Sequence, residues 1–484
     1  MSKTKKIQFV TIALALTLFA AVLRFHSLGA WPYSGDETAT LQEENVLFHA
    51  QEVSHDSQEY RLPHLIPVSY LVFHISHTLF GLDEWGMRVV IALLGTLSVG
   101  LVFVLLDGPM PRATAIATAL LVAFMPQHVV HSQEARFYMV AAFFAFACLL
   151  VGARILWGRS TLYAILACCL ALLAVLTHTL LVILLPLVFV AVCAGAYAER
   201  RSIPLAVTLA FAMAAAAVGA FLALYVRPLV QGWNQGETWG YSPVHALFAS
   251  IVMIGWPIAL LAVVGFVLML RERTAQNWYW LTCLLGWVGA SVAFPLIVVY
   301  HAEYVFPLVL GAIVVAGYAI GVIYELLRTR SSTAAWVWMG SICLANLPAL
   351  ASHYVDGSRR DGRSAAAYIR DHWSPGDRVT GYSMGLFQYY SRGCCEPTIP
   401  LPLTTNSVPQ LQQLGAGSGR LWVVLENTRW GLDPQTQRWL FDCAVHKLSV
   451  GGRRFDEAEF KVEVYLISPP LTNQCAGGAR GAPE

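Results

Sequence analysis

The sequence predicts an α-helical polytopic membrane protein that ends in a small α/β domain. Apolar runs close to the length of a bilayer core recur up to about position 350, and roughly 20 apolar residues in a row suffice to cross. Hydrophobic residues make up 57% of the 484 residues and charged ones only 12%, against about 25% in ordinary soluble domains. Beyond position 350 the long runs give way to short, alternating segments with turn residues between them. A net charge of +2 gives no reason to expect a nucleic-acid partner.

The first apolar run, about Ile7 to Leu23, follows Lys3, Lys5 and Lys6. Basic residues before a span hold its start in the cytoplasm. The following Phe25-His26-Ser27 is a poor cleavage site, so the run reads as an uncleaved signal anchor. Residues 24–87 form a mixed loop with a helical stretch from Asp36 to about Ala50 and a short apolar piece at 65–80, which contains His74 and His77. Ten further runs follow, at about 88–106, 113–130, 136–153, 161–177, 180–198, 203–226, 243–270, 278–299, 304–327 and 333–350.

The piece at 65–80 sets the sidedness of everything after it. If it crossed, the pairs Arg154/Arg159, Arg200/Arg201, Arg271/Arg273 and Arg328/Arg330 would face outward, against the positive-inside rule. If it lies in the interface as an amphipathic helix, all four pairs and Arg112 are cytoplasmic. That reading gives eleven spans, N-terminus in and C-terminus out. It gathers 24–87, 128–136, 177–179, 227–241, 300–304 and the tail from about 351 on one face. The cytoplasmic loops are short and carry no Walker or Rossmann glycine pattern. Two domains follow: 1–350 in the membrane and 351–484 outside the cytoplasm.

In the tail, Ser364–His372 and Pro434–Phe441 read as helices, Ser374-Pro-Gly-Asp377 as a turn, and Gly385–Tyr390 as a helical turn. Arg378–Tyr382, Leu421–Leu425 and Phe460–Ile467 read as strands. Six of the ten cysteines lie in apolar runs and read as small core residues. Cys394, Cys395, Cys443 and Cys475 lie in the tail and could form disulfides, although the adjacent Cys394 and Cys395 are poor partners for each other.

The chemistry is expected around Trp31-Pro-Tyr-Ser-Gly-Asp36-Glu37-Thr38. Two adjacent carboxylates at the membrane surface suit proton transfer. Ser34-x-x-Glu37 equally fits a helix capping box, and locally the two readings stand level. Glu134 and Arg136, in His131-Ser-Gln-Glu134-Ala-Arg136-Phe-Tyr138, open a span on the same side and could bind substrate or simply pair. Arg61 and Arg88 flank the interfacial helix and run against the positive-inside trend. An outward Arg at headgroup level suits a lipid phosphate; headgroup contact or pairing with Asp83 and Glu84 is the plain alternative. His178, His301 and Glu303 stand at two more outer turns, where an interfacial or aromatic-belt role competes with substrate binding. Trp233, Trp239, Tyr241 and Glu237 share one outer loop that could face a sugar. His74/His77 and His128/His131 have a helical i, i+3 spacing that metals use, with no third ligand placed by sequence. Asp36, Glu134 and Glu303 could hold a divalent cation through oxygens.

In chain order stand Gly35-Asp36-Glu37, Leu62-Pro63-His64-Leu65, Phe80-Gly81-Leu-Asp-Glu84-Trp-Gly-Met-Arg88, Ser132-Gln-Glu134-Ala-Arg136-Phe-Tyr138, Leu176-Thr-His178-Thr and Arg360-Asp361-Gly-Arg363. This series resembles the bacterial GT-C type glycosyltransferases, the group related to protein O-mannosyltransferases and to the aminoarabinose transferase of lipid A. The resemblance covers most of the chain and is densest at 24–180. It implies a membrane-helix fold with juxtamembrane helices in the first outer loop. It also implies transfer of a sugar from a polyprenyl-phosphate carrier to an envelope lipid, glycan or protein on the outer face of the inner membrane. Asp36 matches the acidic residue that acts on the acceptor, with Glu37 behind it, and Glu134 matches the acidic position of the second outer loop. Arg61 stands near a carrier-phosphate Lys of the aminoarabinose enzymes, although that Lys is absent here and one Pro of its Pro-Pro pair is replaced. A transporter or flippase of a lipid-linked sugar would place charges in mid-span or show inverted repeats, and neither is visible. An oligosaccharide ligase or polymerase would share this topology.

Overall fold

The computed structural model describes residues 3–49, 66–157, 160–226, 242–296, 302–356, 360–382, 385–395, 399–401, 406–416, 419–426, 432–451 and 461–468. The chain divides into two compact units, one of residues 1–28 and 43–350, the other of residues 29–42 and 351–484.

The first unit is helical. Among the described residues, seven helices are long and apolar enough to cross a membrane: Thr4–Phe25, Glu84–Leu106, Phe137–Ile155, Thr179–Ala198, Leu205–Val226, Ala275–Leu296 and Leu310–Arg328. Two more runs are helix pairs, bent by 59° at Met125–Pro126 and by 100° at Gly255. Pro126 and Pro257 each remove a backbone donor near these breaks, and Gly255 takes a φ of 89°. The remaining runs form the shorter helices Ser160–Val175 and Ser332–Ala345. Helices thus stand at all eleven expected runs: among the described residues seven are long and apolar enough to cross, nine with each bent pair taken as one span, and the other two are these shorter helices. The protein is a polytopic helical membrane protein.

Small residues let these helices approach closely, as membrane packing requires. A Cβ at Gly317 would lie 2.2 Å from Thr118 Oγ1, and one at Gly321 would lie 2.6 Å from Thr114 Oγ1. The Leu310–Arg328 helix thus rests its Gly-xxx-Gly face on Arg112–Phe124.

Pro67–Phe80 is a helix of 14 residues. At 1.5 Å per residue it reaches about 21 Å, short of a hydrocarbon core of roughly 30 Å. Its end shows why the motif that follows reads as it does. Gly81 takes a φ of 101° to leave the helix, and Asp83 caps the next one by accepting from the Gly86 N–H at 2.7 Å. Gly86 must be small, because a Cβ there would lie 2.3 Å from the Gly81 carbonyl. Ser76 Oγ donates to the Gly86 carbonyl at 2.7 Å and accepts from the Val90 N–H at 3.2 Å.

In the second unit a five-stranded sheet has the order β2-β1-β3-β5-β4, with β1 Arg378–Tyr382, β2 Ile399–Pro400, β3 Leu421–Leu425, β4 Val445–Gly451 and β5 Lys461–Ile467. Strands β2, β1 and β3 are parallel; β5 and β4 run antiparallel. β3 is buried on both faces, as its unbroken apolar run requires. Trp422 and Val424 join one core with Ile369 and Phe387, while Leu421, Val423 and Leu425 join another with Leu411 and Leu440. Two strands and the Val408–Gly415 helix lie outside the expected elements. β2 has two residues, and β4 is an edge strand with a bulge at His446/Leu448, so neither carries a clean period-2 pattern. Asp377 accepts from Arg420 at 2.7 and 3.0 Å and from Trp422 Nε1 at 3.0 Å. Burial works against this carboxylate, but the bonds from Arg420 and Trp422 hold its pKa below the usual value. Cys443 is disulfide-bonded, whereas Cys394 and Cys395 are free thiols.

Candidate functional site

Asp36 and Glu37 open the Gly35–His49 helix, and the fold separates their roles. Glu37 is fully buried. Its Oε2 accepts from the Ser34 N–H at 2.9 Å, while Ser34 Oγ accepts from the Glu37 N–H at 3.2 Å. That is the reciprocal capping box, so the neighbour of Asp36 is occupied in starting the helix. Asp36 is exposed at the same helix start, where two orphan N–H groups are already satisfied by the cap.

The tail shares a unit with this stretch. Arg363 donates to the Ala30 carbonyl at 2.8 Å, the Tyr390 hydroxyl accepts from the Tyr33 N–H at 2.7 Å, and Tyr389 meets the Tyr33 ring edge-on at 5.5 Å. An Arg360 guanidinium nitrogen lies 3.9 Å from the Cβ position of Gly35, which places a cation beside the helix start. Asp361 orients the Arg360–Arg363 segment by capping the Gly362–Asp371 helix at the Ser364 N–H, 2.9 Å away. Arg360 and Arg363 are residues that sequence reasoning left out of the site. Their motif was legible, but its partner lay more than 320 residues upstream.

Glu37 therefore gives a sharp expectation. Glu37→Gln keeps the capping box and should retain most activity, whereas Glu37→Ala should cost about 0.5–2 kcal/mol of local helix stability. Thermal unfolding beside a turnover assay checks both; a dead but normally stable Glu37→Gln protein would return this carboxylate to the chemistry.

In the first unit, three stretches that are far apart in sequence come together. His131 Nδ1 lies 3.6 Å from Glu134 Oε2. The Arg136 guanidinium sits 5.2 Å above the Phe137 ring, and Phe137 lies 4.9 Å from the His178 ring. Tyr304 approaches His178 at 5.2 Å and Tyr138 at 6.5 Å. The Pro67–Phe80 helix docks on the same turn, with the Val68 N–H and Ser69 Oγ donating to the carbonyls of Leu176 and Thr177 at 3.4 and 3.3 Å. The Tyr70 hydroxyl donates to Glu43, and burial followed by the Glu43 charge pushes the phenol pKa up. Arg136 is the N-cap residue of the Phe137–Ile155 helix, a place where the helix dipole disfavours a cation. A positive charge held there is suited to an anionic ligand.

His178 is recessed, and burial followed by the Arg136 charge lowers its pKa to about 4. It is neutral at pH 7. Its folded value lies below the ordinary value near 6.5, so unfolded chains take up more protons between the two and stability falls as pH drops through that window. His178→Gln is expected to flatten this acid-side loss, measured as the unfolding midpoint between about pH 6.5 and pH 4.

The other expected site residues are placed differently. Arg88 is fully buried and donates to the Leu28 carbonyl at 3.1 Å, so it ties the first span to the next one. His128 is buried against Arg24, whose Nη2 lies 2.8 Å from its Nδ1. Arg24 also donates to the carbonyls of Ala20, Val122 and Ala123. His128 thus belongs to this internal lock, whereas His131 faces Glu134. Glu303 is exposed in the Ala302–Leu308 turn. Arg61, His301, Trp233, Glu237, Trp239 and Tyr241 lie outside the described residues. Among the described residues, the group whose ligand atoms converge as a metal site would need is Glu44, His74 and His77.

A cavity of about 440 Å³ lies between the helices Leu184–Ala198 and Leu205–Phe221. Leu185, Phe189, Phe211 and Val218 are among its walls, and no titratable residue lines it. Its walls are apolar apart from Thr208 and suit a hydrocarbon chain.

No protein-family model matches the sequence, and no curated protein matches it. Solved structures do. ArnT from Cupriavidus metallidurans bound to undecaprenyl phosphate is similar over 99% of this chain and 100% of that one, with a TM-score of 0.59 and 15% identity. The apo Archaeoglobus fulgidus oligosaccharyltransferase is similar over 88% of this chain and 70% of that one, with a TM-score of 0.57 and 14% identity. The same organism's AglB, in complex with an inhibitory peptide and a dolichol-phosphate, gives 0.55 and 13% over the same shares. At such identities the likeness speaks for architecture alone, and it extends over nearly the whole chain: this protein has the GT-C fold that its ordered motifs imply.

Proposed function

We propose that this chain is a membrane glycosyltransferase that moves a single sugar from a polyprenyl-phosphate-linked donor to an envelope lipid, glycan or protein. The reaction takes place on the outer face of the cytoplasmic membrane. The observation that carries the reading is Asp36: an exposed carboxylate at a helix start, in a chain with the fold of two transferases whose structures hold a polyprenyl or dolichol phosphate.

The chemistry follows from these residue types. Asp36 takes the proton of the acceptor hydroxyl as that oxygen attacks the anomeric carbon. The bond from this carbon to the phosphate oxygen breaks, and the polyprenyl phosphate leaves with the electron pair. A single displacement inverts the anomeric centre. The departing phosphate gains charge, and guanidinium groups aimed at it stabilise the transition state more than the ground state. Arg136 in the first unit and Arg360, beside the start of the Asp36 helix in the second, are the proposed candidates for that role. The apolar cavity offers a wall for the isoprenoid chain.

Transfer of radiolabel from a polyprenyl-phosphate sugar, in membranes carrying the full chain, tests this reading. Label is expected in a membrane-extract acceptor, with the released carrier as monophosphate. Release of a diphosphate carrier, or movement of the intact labelled lipid across the bilayer without transfer, would replace it with a ligase or a flippase.

A further inference from the structure

We propose that Glu44, His74 and His77 form a zinc site that clamps the Gly35–His49 helix to the Pro67–Phe80 helix. His74 and His77 are three apart on one helix and so share a face; Glu44 reaches them from the other. His74 Nδ1 lies 2.6 Å and His77 Nδ1 3.3 Å from Glu44 Oε1. All three ligand atoms fall within 4.8 Å of one another.

Glu44 is the residue that asks for a cation. Its side chain is wholly buried, while those of His74 and His77 are 30% and 11% exposed. Its Oε2 has no hydrogen-bond partner among the described residues. A carboxylate oxygen shut away from water without a partner is costly. The adjacent Glu43 is engaged by the Tyr70 hydroxyl, so the two carboxylates have separate duties. Phe48 stacks on the His74 ring at 4.1 Å and holds its orientation.

The donor set selects the metal. Two imidazole nitrogens and one carboxylate suit zinc, whereas magnesium and calcium prefer oxygen ligands alone. With metal–ligand bonds of about 2.0–2.1 Å, tetrahedral ligand atoms stand roughly 3.3 Å apart. The His77–Glu44 pair is already at that separation, and His74 needs to withdraw by less than about 1 Å. The exposed flank of His74 leaves room for a water as the fourth ligand.

Glu44 follows Asp36 by eight residues on one helix, about 12 Å along its axis. The ion is proposed as a positioning clamp between the two helices. Metal binding itself stands independently of the transferase reading.

The test uses the tag-free full chain in detergent with zinc alone, titrated against a chromogenic chelator. About one equivalent of zinc is expected for the native protein, with a rise in its unfolding midpoint. Glu44→Gln and His77→Ala should each abolish both. Should either variant fail to fold, His77→Cys keeps a ligand and, loaded with cobalt(II), should show a thiolate-to-metal absorption band that the native protein lacks. A native chain that takes up no zinc at micromolar concentration, variants that bind as much as native protein, or a cobalt-loaded His77→Cys without the thiolate band would each overturn the site.

Discussion

Asp36→Asn is expected to lower sugar transfer by about 10²–10⁴-fold while leaving the protein folded and inserted. The substitution changes one oxygen for a nitrogen and removes the basicity. The helix start does not depend on it, because Ser34 and Glu37 close the cap between themselves. Asp36 is also exposed, so the isosteric change leaves no cavity behind. The loss should therefore fall on turnover, with the unfolding midpoint nearly unmoved. Labelled-donor transfer at matched expression gives the readout, and Glu37→Gln in the same membranes gives the control. Turnover close to that of the native protein would remove Asp36 from the mechanism.

Arg136→Ala should follow closely, with turnover lower by about 10²–10³-fold, the scale of losing one preorganised donor to developing negative charge. Its position argues for this. Arg136 stands at the N-cap position of a helix whose dipole repels a cation, and its guanidinium packs over Phe137 beside a neutral His178. With no cation on His178 at pH 7, Arg136 supplies the positive charge of that cluster. Arg136→Lys should recover only part of the loss, since a point charge cannot grip two phosphate oxygens in a plane. The split between constants is informative: a transition-state role lowers kcat, whereas simple carrier binding raises KM and spares kcat. An unchanged kcat would reduce Arg136 to a binding residue.

Both expectations start from residues that were visible in the linear chain, yet the chain alone could not rank them. A functional reading and a capping box stood level at Asp36-Glu37, and the side-chain geometry shows that the box forms at Glu37. Arg88 looked like an outward phosphate ligand because it runs against the charge rule. It turns inward to the Leu28 carbonyl, a partner 60 residues away that no spacing rule discloses. His74 and His77 carried metal-like spacing without a third ligand, and Glu44 supplies one from another helix. Two of the eleven expected runs are bent pairs, for a similar reason. Hydropathy counts apolar residues but does not see where Pro126, Gly255 and Pro257 break a helix.

By itself the sequence determined the membrane class, the apolar helices, the caps and the strands Arg378–Tyr382 and Leu421–Leu425. Each of these depends on neighbours within a few positions: length against the bilayer, a side chain within reach of an N–H, an unbroken apolar run. Only the tertiary structure decided which charged groups face outward, which are consumed inside, and which meet. Those outcomes turn on pairings such as Arg363 with Ala30, Tyr304 with His178 and Glu44 with His77. Burial and hydrogen-bond satisfaction are set by whatever the fold brings alongside, and residues tens or hundreds of positions apart leave no local trace of that.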